Sequence, residues 1–390
     1  MKEYTYLIIG GGMTADAAVS GIREVDEAGS IAVITAEEVP PYKRPPLSKG
    51  LWKTTPEEEI WLNTEQKGAT LFLGTKAEQI DAGKKQVQDT RGEVYQYEKL
   101  LIATGASPKK LPFGEDFILY YRNYSDYKEL KNTSQKQEEY AVIGSGFIGS
   151  EIAAALNLQG KKVSIFDVGA GIGWSVFPTD MVEYLNEYYI NKGVQINPNA
   201  FIEDITHGDH KVKICTKDGQ VFSNDVVVAG IGVMPNLELA KSAGIKVDDG
   251  IRVNSYLETN LPDIFAAGDV ASFYSSFLDT YIRVEHEDNA VTMGKRAGLN
   301  MAGDVQEYDY LPMFYSDLFD LGYEAVGVLS SKLDVIADWQ DEYKKGVIYY
   351  LDKGLIKGVL LWNVWDKVDA ARDVITQQRT YSADQLRGLI

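Results

Sequence analysis

The chain has 390 residues, 45% hydrophobic and 25% charged, with a formal net charge of −18. That length suits two or three domains, and the negative field repels nucleic-acid phosphates and anionic lipid headgroups. Cys215 is the single cysteine, which excludes an intrachain disulfide and CxxC dithiol chemistry.

The first residues enter a strand at once (YTYLIIG), leaving no room for a signal or transit peptide, and no apolar run of about 18 residues follows. This reads as a soluble cytoplasmic protein. Strand-like runs at 4–10, 30–36 and 99–105 frame a helix over 15–27, the alternation of a doubly wound sheet. Gly10, Gly12 and Ala15 form GxGxxA where strand meets helix. The first glycine permits the tight turn, the second lets backbone approach a pyrophosphate, and the small third residue seats the helix on the strand. Taken alone, such a turn also occurs where nothing binds.

A second set begins at Tyr140, with a full GxGxxG at Gly144, Gly146 and Gly149, a helix over 149–159, and the strand KKVSIFD. Two such loops in one chain imply two nucleotides, and flavin with nicotinamide is the obvious pair. Asp167 ends the strand, placed either as a solvated loop carboxylate or to accept bonds from a ribose diol and repel a 2′-phosphate. No Lys or Arg lies between Asp167 and Lys192, which favours NADH over NADPH. Alternating segments FIEDI, KVKICTKDGQVF and DVVVAGIG follow, with a hairpin turn at Asp218 and Gly219. His207 and His210, in THGDHK, read as a polar hairpin end without the further ligands a metal needs, so no metal site is expected.

The segment IRVNSYLETNLPDIFAAGDVASF returns to the character of the first unit, so the second domain is inserted into the first. From Met313 aromatic strands alternate, VIYYLD and LIKGVLLW meet across a Lys-Gly turn, and Val368, Ala371 and Ile375 share a helix face. The expected fold class is α/β, with two Rossmann-like domains and a small α+β C-terminal domain. The expected boundaries are 1–112 with 241–312, 113–240, and 313–390.

PPYKRPPLSKGLW, GSGFIGSE, RVEHEDNA and FYSDLFDLGYEAVG, with ATG at Ala103 and AAGD at Ala266, resemble the apoptosis-inducing factor and ferredoxin (rubredoxin) reductase family of FAD-dependent NADH oxidoreductases. The likeness runs from Tyr4 to about Arg372. It implies a glutathione-reductase-like FAD domain split by an NADH domain. For FAD it implies contacts from Gly10, Gly12, Glu37, Arg44, Lys49, Ala77, Ala103, Thr104, Gly105, Arg122 and Asp269, the last on the ribityl chain. For NADH it implies Gly144, Gly146, Ile148, Gly149, Asp167 and Gly232. Phe147 would lie over the flavin, Glu285 and His286 would border both cofactors, and Lys49 with Glu151 would form the pair beside flavin N5. Lys49, Glu151 and Phe147 are thus the candidate catalytic residues. A cation beside N5 stabilises the negative charge that reduction brings. The bland alternatives are an exposed loop lysine and a hydrogen-bonded structural histidine.

Three departures from the family stand out. Ala36 occupies the usual ribose acid position, leaving Glu37 to take that role or the contact to be made differently. Tyr315 replaces a frequent tryptophan, and VGAGIGWSVFP after Asp167 lacks the usual charged residues. The implied activity is hydride transfer from NADH to flavin N5, with electrons then leaving singly to a ferredoxin or rubredoxin. The alternative is an NADH-sensing flavoprotein with a long-lived charge-transfer complex and redox-dependent dimerisation. A homodimer would suit either. Lys43, Arg44, Lys53, Lys344, Lys345 and Arg379 are the basic residues that an acidic acceptor would need gathered.

Overall fold

The computed structural model describes residues 1–208 and 210–390, so Asp209, within the THGDHK segment read above as a hairpin end, lies outside the described residues. The chain divides into two compact units whose segments interleave. The first comprises residues 1–44, 57–107 and 234–312, and the second residues 45–56, 108–233 and 313–390.

The first unit is built on buried runs of Leu, Ile and Val, the signature of parallel strands covered on both faces. Strands Lys2–Ile9, Ile31–Ile34, Ala69–Phe72 and Val94–Ile102 lie side by side, with Ile9 opposite both Ile34 and Ile102. Val94–Ile102 is long enough for two duties. Its first half pairs antiparallel with Gln86–Asp89, and its second half pairs parallel with Ile264–Ala266, which arrives from beyond residue 234. Helices Met13–Val25 and Glu287–Ala302 cover this sheet and press together through glycines. A Cβ at Gly298 would stand 2.1 Å from the Ala18 carbonyl oxygen, and one at Gly294 2.4 Å from that of Thr14.

The second unit holds a parallel sheet in the order Gln195–Asn197, Lys162–Phe166, Glu139–Ile143, Val226–Ala229, Ile118–Tyr120. Strands Ile202–His207, Val212–Thr216 and Val221–Asn224 pair antiparallel, and the last two meet at a turn over Asp218 and Gly219, where the Gly219 N–H bonds the Thr216 carbonyl. Met313–Leu318, Leu321–Gly327, Asp334–Asp341, Lys345–Asp352 and Leu355–Trp362 make a five-stranded antiparallel sheet. Helix Val368–Thr376 packs on it through Ala371 and Ile375. Phe177 joins this sheet to the nucleotide fold, edge-on to Tyr323 and Trp362 at 5.6 and 5.8 Å between ring centroids.

Residues 45–56 belong to this second unit although they sit within the first unit's sequence. Their turns are tied down by side chains. Trp52 Nε1 and the Tyr121 hydroxyl both donate to the Leu47 carbonyl, Gln159 donates to that of Trp52, and the Lys131 ammonium lies 4.5 Å over the Trp52 ring. Among the described residues, no helix is long and apolar enough to cross a membrane.

Candidate functional site

Each unit carries one glycine loop at the C-terminal end of its parallel strands. In the first, Gly10 adopts φ +113° and passes so close to the next strand that a Cβ would stand 2.1 Å from the Ala103 carbonyl oxygen. Gly12 caps helix Met13–Val25 without any side-chain cap bond, and the space where its Cβ would stand is empty. The helix therefore presents bare N–H groups and a positive dipole end over a clear approach, as a pyrophosphate requires. Ala15 is fully buried under the turn.

Around that loop the first unit gathers several predicted residues. The Glu37 carboxylate is held by the Arg44 guanidinium and by the Tyr42 hydroxyl at 2.7 Å. The chain leading to Ala77 runs beside it, with the Gly74 N–H on the Glu37 carbonyl and the Thr75 N–H on that of Thr35. Thr104 and Gly105 are fixed by Asn236, whose amide donates to the Thr104 carbonyl at 2.8 Å and whose backbone N–H donates to that of Gly105. Asp269 follows Gly268, a residue at φ +76° where a Cβ would strike Thr14. Arg283, only 9% exposed, bonds the Asp269 carbonyl oxygen and the carboxylates of Glu285 and Asp249. His286 is the N-cap of Glu287–Ala302 and makes no cap bond through its side chain. Tyr42, Asn236 and Arg283 were not anticipated; the PN pair after IGVM and the Arg before VEH were the only local signals.

The second loop repeats the first. Gly144 has φ +95°, its Cβ position lies 2.5 Å from the Gly230 carbonyl oxygen, and a Cβ on Gly149 would lie 2.0 Å from that of Gly144. Gly146 caps helix Phe147–Leu158, again with no side-chain cap and nothing within 4 Å of its Cβ position. Exposed Ile148 and half-buried Phe147 form the first turn. The Phe147 ring meets Phe314 and Tyr323 at 5.8 and 6.4 Å. Gly232, at φ +92°, accepts the Lys109 N–H through its carbonyl. Asp167 is buried beside this loop. One carboxylate oxygen accepts the Ser145 N–H and hydroxyl, each at 2.7 Å, and the other accepts the Gly169 N–H at 2.7 Å. Since a carboxylate offers about four acceptor positions, about one remains for a ligand hydroxyl.

Lys49 and Glu151 meet in this unit at 2.7 Å, with side chains 14% and 2% exposed. Glu151 also accepts the hydroxyls of Ser48 at 2.6 Å and Ser316 at 2.5 Å, so both its oxygens are satisfied by charge or hydroxyl. Burial first, and the negative charge of Glu151 after it, push the Tyr189 and Tyr323 hydroxyls well above their ordinary value. On the far side, the Lys49 ammonium lies 5.1 Å over the Tyr315 ring. Ser48 and Ser316 complete a site of which the sequence showed only the charged half. Arg122 is in the same unit, its backbone N–H on the Asp126 carboxylate.

Across the strand from Tyr315 stands Glu324. Its Oε2 is buried with no hydrogen-bond partner, and burial, with Asp366 adding to it, raises its pKa. A raised carboxyl pKa favours folding below the unfolded-state value and becomes a cost as pH climbs through the folded one. Glu324→Gln is therefore expected to stabilise the protein by about 0.5–1 kcal/mol at pH 7. The gain should shrink toward pH 4, as read from urea midpoints at the two pH values. A constant difference would place the effect elsewhere. No group of three or more His, Cys, Asp or Glu suited to a metal occurs among the described residues.

Residues 4–294 match the family Pyridine nucleotide-disulphide oxidoreductase, and 297–341 with 336–377 match the family Apoptosis-inducing factor, mitochondrion-associated, C-term. The chain is 34% identical to apoptosis-inducing factor 1, mitochondrial, of Dictyostelium discoideum, across 97% of this chain and 80% of that one. It is 30% identical to monodehydroascorbate reductase of Pisum sativum, across 93% and 91%. The crystal structure of the covalent putidaredoxin reductase–putidaredoxin complex superposes with a TM-score of 0.91 at 27% identity, covering 98% of this chain and 95% of that one.

Proposed function

The chain belongs to the pyridine nucleotide-disulphide oxidoreductase family, and from that premise we propose that it takes hydride from NADH onto FAD and hands electrons singly to a small iron–sulfur or rubredoxin-type protein. The observation that supports this most is the pair of glycine loops. Each has an uncapped helix N-terminus and an open second glycine, so both fit a dinucleotide. The first loop takes FAD and the second NADH. The cofactors supply the two-electron uptake and one-electron release; the protein supplies binding, orientation and charge.

Gly10, Gly12 and Ala15, with Glu37, Arg44, Ala77, Ala103, Thr104, Gly105 and Asp269, serve the flavin nucleotide. Gly144, Gly146, Ile148, Gly149, Gly232 and Asp167 serve NADH, and Phe147 presents a ring to the nicotinamide. Glu285 and His286 border both. Lys49, held by Glu151 and flanked by Tyr315, is the cation that answers the negative charge of reduction, while Arg122 adds a second cation for FAD. No protein acid or base is needed for hydride transfer. With Cys215 as the single cysteine, dithiol chemistry is not available to this member. The three domains of this reading are 1–112 with 241–312, 113–240, and 313–390.

Anaerobic stopped-flow of the yellow protein with NADH, followed by mixing with ferredoxin, rubredoxin, monodehydroascorbate radical or air, tests the reading. Fast reduction and fast reoxidation by one iron–sulfur protein are expected. Fast reoxidation by the organic radical alone would replace the acceptor. A persistent long-wavelength charge-transfer band with every acceptor slow would favour a sensing flavoprotein that dimerises on reduction, the reading supported by the 34% identity to the Dictyostelium protein.

A further inference from the structure

The glycine-rich stretch after Asp167 is folded into a fixed shelf beside the second glycine loop. The Gly173 N–H bonds the Ser145 carbonyl, and the Ser145 hydroxyl bonds that of Gly171. Asn186 holds the Ile172 N–H and the Ala170 carbonyl, and the Asn199 N–H bonds the Gly169 carbonyl. On this shelf lies Trp174. Its indole covers Gly169 so closely that a Cβ there would stand 2.3 Å from ring atoms, and yet 42% of the residue remains exposed. Among the described residues the indole makes no ring stack, cation contact or side-chain hydrogen bond. One face is thus fixed against backbone, and an aromatic surface is left open to solvent without a partner.

Resting on the reading of the second loop as the NADH loop, we propose that Trp174 stacks the adenine of the dinucleotide and makes adenine, rather than a 2′-phosphate, the feature read at that end. The register supports the placement. Phe166 lies opposite Ile143, so Asp167 and the shelf stand beside Gly144. A dinucleotide with its pyrophosphate over Gly144 and Gly146 sends its adenosine half toward the end of the neighbouring strand. There it finds the remaining acceptor position of Asp167 for a ribose hydroxyl, and beyond Gly169 an indole. No Lys or Arg occurs from 168 to 191 to meet a phosphate. Every base has a π-face, and the Trp ring is already immobilised, so stacking orders little that is not ordered before binding. Gly169 is required because any side chain there would displace the indole.

The test uses FAD-loaded protein and calorimetric titration with AMP, NAD⁺, NMN⁺ and 2′,5′-ADP. Trp174→Ala is expected to weaken AMP and NAD⁺ about ten-fold and Trp174→Phe by less than about three-fold, the range of single base–aromatic stacks. NMN⁺, which lacks adenine, should bind both variants as it binds the wild type, and 2′,5′-ADP should bind the wild type more weakly than AMP. Unchanged AMP binding by Trp174→Ala, with the wild type binding AMP, overturns the proposal and leaves the NADH loop standing. A wild type that binds neither AMP nor NAD⁺ removes the loop reading and this proposal together. Should the alanine variant not fold, AMP quenching of wild-type tryptophan fluorescence, absent in Trp174→Phe, decides; equal quenching in both refutes the stack.

Discussion

Glu151→Leu is expected to cost the folded protein about 3–5 kcal/mol, the penalty for stranding a buried charge. Lys49 would keep its ammonium in a site where only 14% of the side chain reaches solvent, with the Tyr315 ring as its remaining neighbour on that side. The hydroxyls of Ser48 and Ser316 would lose their acceptor as well. Glu151→Gln should cost less, since the amide oxygen still accepts, although the counter-charge is gone. The double variant Lys49→Met with Glu151→Leu should recover most of the lost stability, because an apolar pair of similar volume removes the charge that lacked a partner. Flavin reduction by NADH should stay slow in that double variant, which separates the stabilising role from the electrostatic one. Urea unfolding of the four proteins reads the first effect and stopped-flow absorbance the second. A loss below about 1 kcal/mol in Glu151→Leu would mean that water reaches Lys49 and that the pair is not the enclosed one described.

Gly149→Val is expected to slow NADH-dependent flavin reduction at least about 100-fold, near 2.7 kcal/mol in activation free energy, while the purified protein keeps its FAD. A Cβ at that position would lie 2.0 Å from the Gly144 carbonyl oxygen, and backbone cannot yield as a flexible side chain can. The helix Phe147–Leu158 must lift from its strand, carrying the uncapped N–H groups off their line. The first glycine loop has its own close approach, Gly10 to Ala103, in the other unit, so the flavin content per chain should be unchanged. The ratio of flavin to protein absorbance checks that half. Loss of FAD with retained NADH binding would exchange the roles of the two loops.

What was legible in the sequence was whatever is settled within a few residues. Gly10, Gly12 and Ala15 of the first loop, the three glycines of the second, the Lys353–Gly354 turn between Lys345–Asp352 and Leu355–Trp362, and the buried face of Val368–Thr376 are all fixed by local backbone geometry or by a short period. The position of Asp167 was legible too, but the two Ser145 donors on its carboxylate were not, since Ser145 lies 22 residues earlier. Ser48 and Ser316 reach Glu151 across 103 and 165 residues, and Asn236 reaches Thr104 across 132. A serine or asparagine on a strand or turn carries no periodic mark of so distant a partner. The membership of residues 45–56 in the second unit was hidden for a related reason. The segment is stapled there by Trp52, Tyr121 and Gln159, the last two of which lie 74 and 107 residues from the carbonyls they bond. The acid in the FAD loop presents the converse case. Glu37 was expected near the ribose, and its carboxylate is joined to Arg44 and to Tyr42, a residue of the PPYKRPPLSKGLW segment to which no role had been given.

The partners of Glu151 also set an order of events during synthesis. Ser48 and Lys49 leave the ribosome first, the carboxylate follows about a hundred residues later, and Ser316 emerges last, 165 residues after it. At roughly 5–20 residues per second that final interval is on the order of 10–30 s. Throughout it neither the Ser316 hydroxyl nor the sheet that packs against Phe177 is available to the second unit. Its completion is therefore deferred until residues 313–390 have been made, and a ribosome that stalls before residue 313 leaves an unfinished unit rather than a smaller finished one.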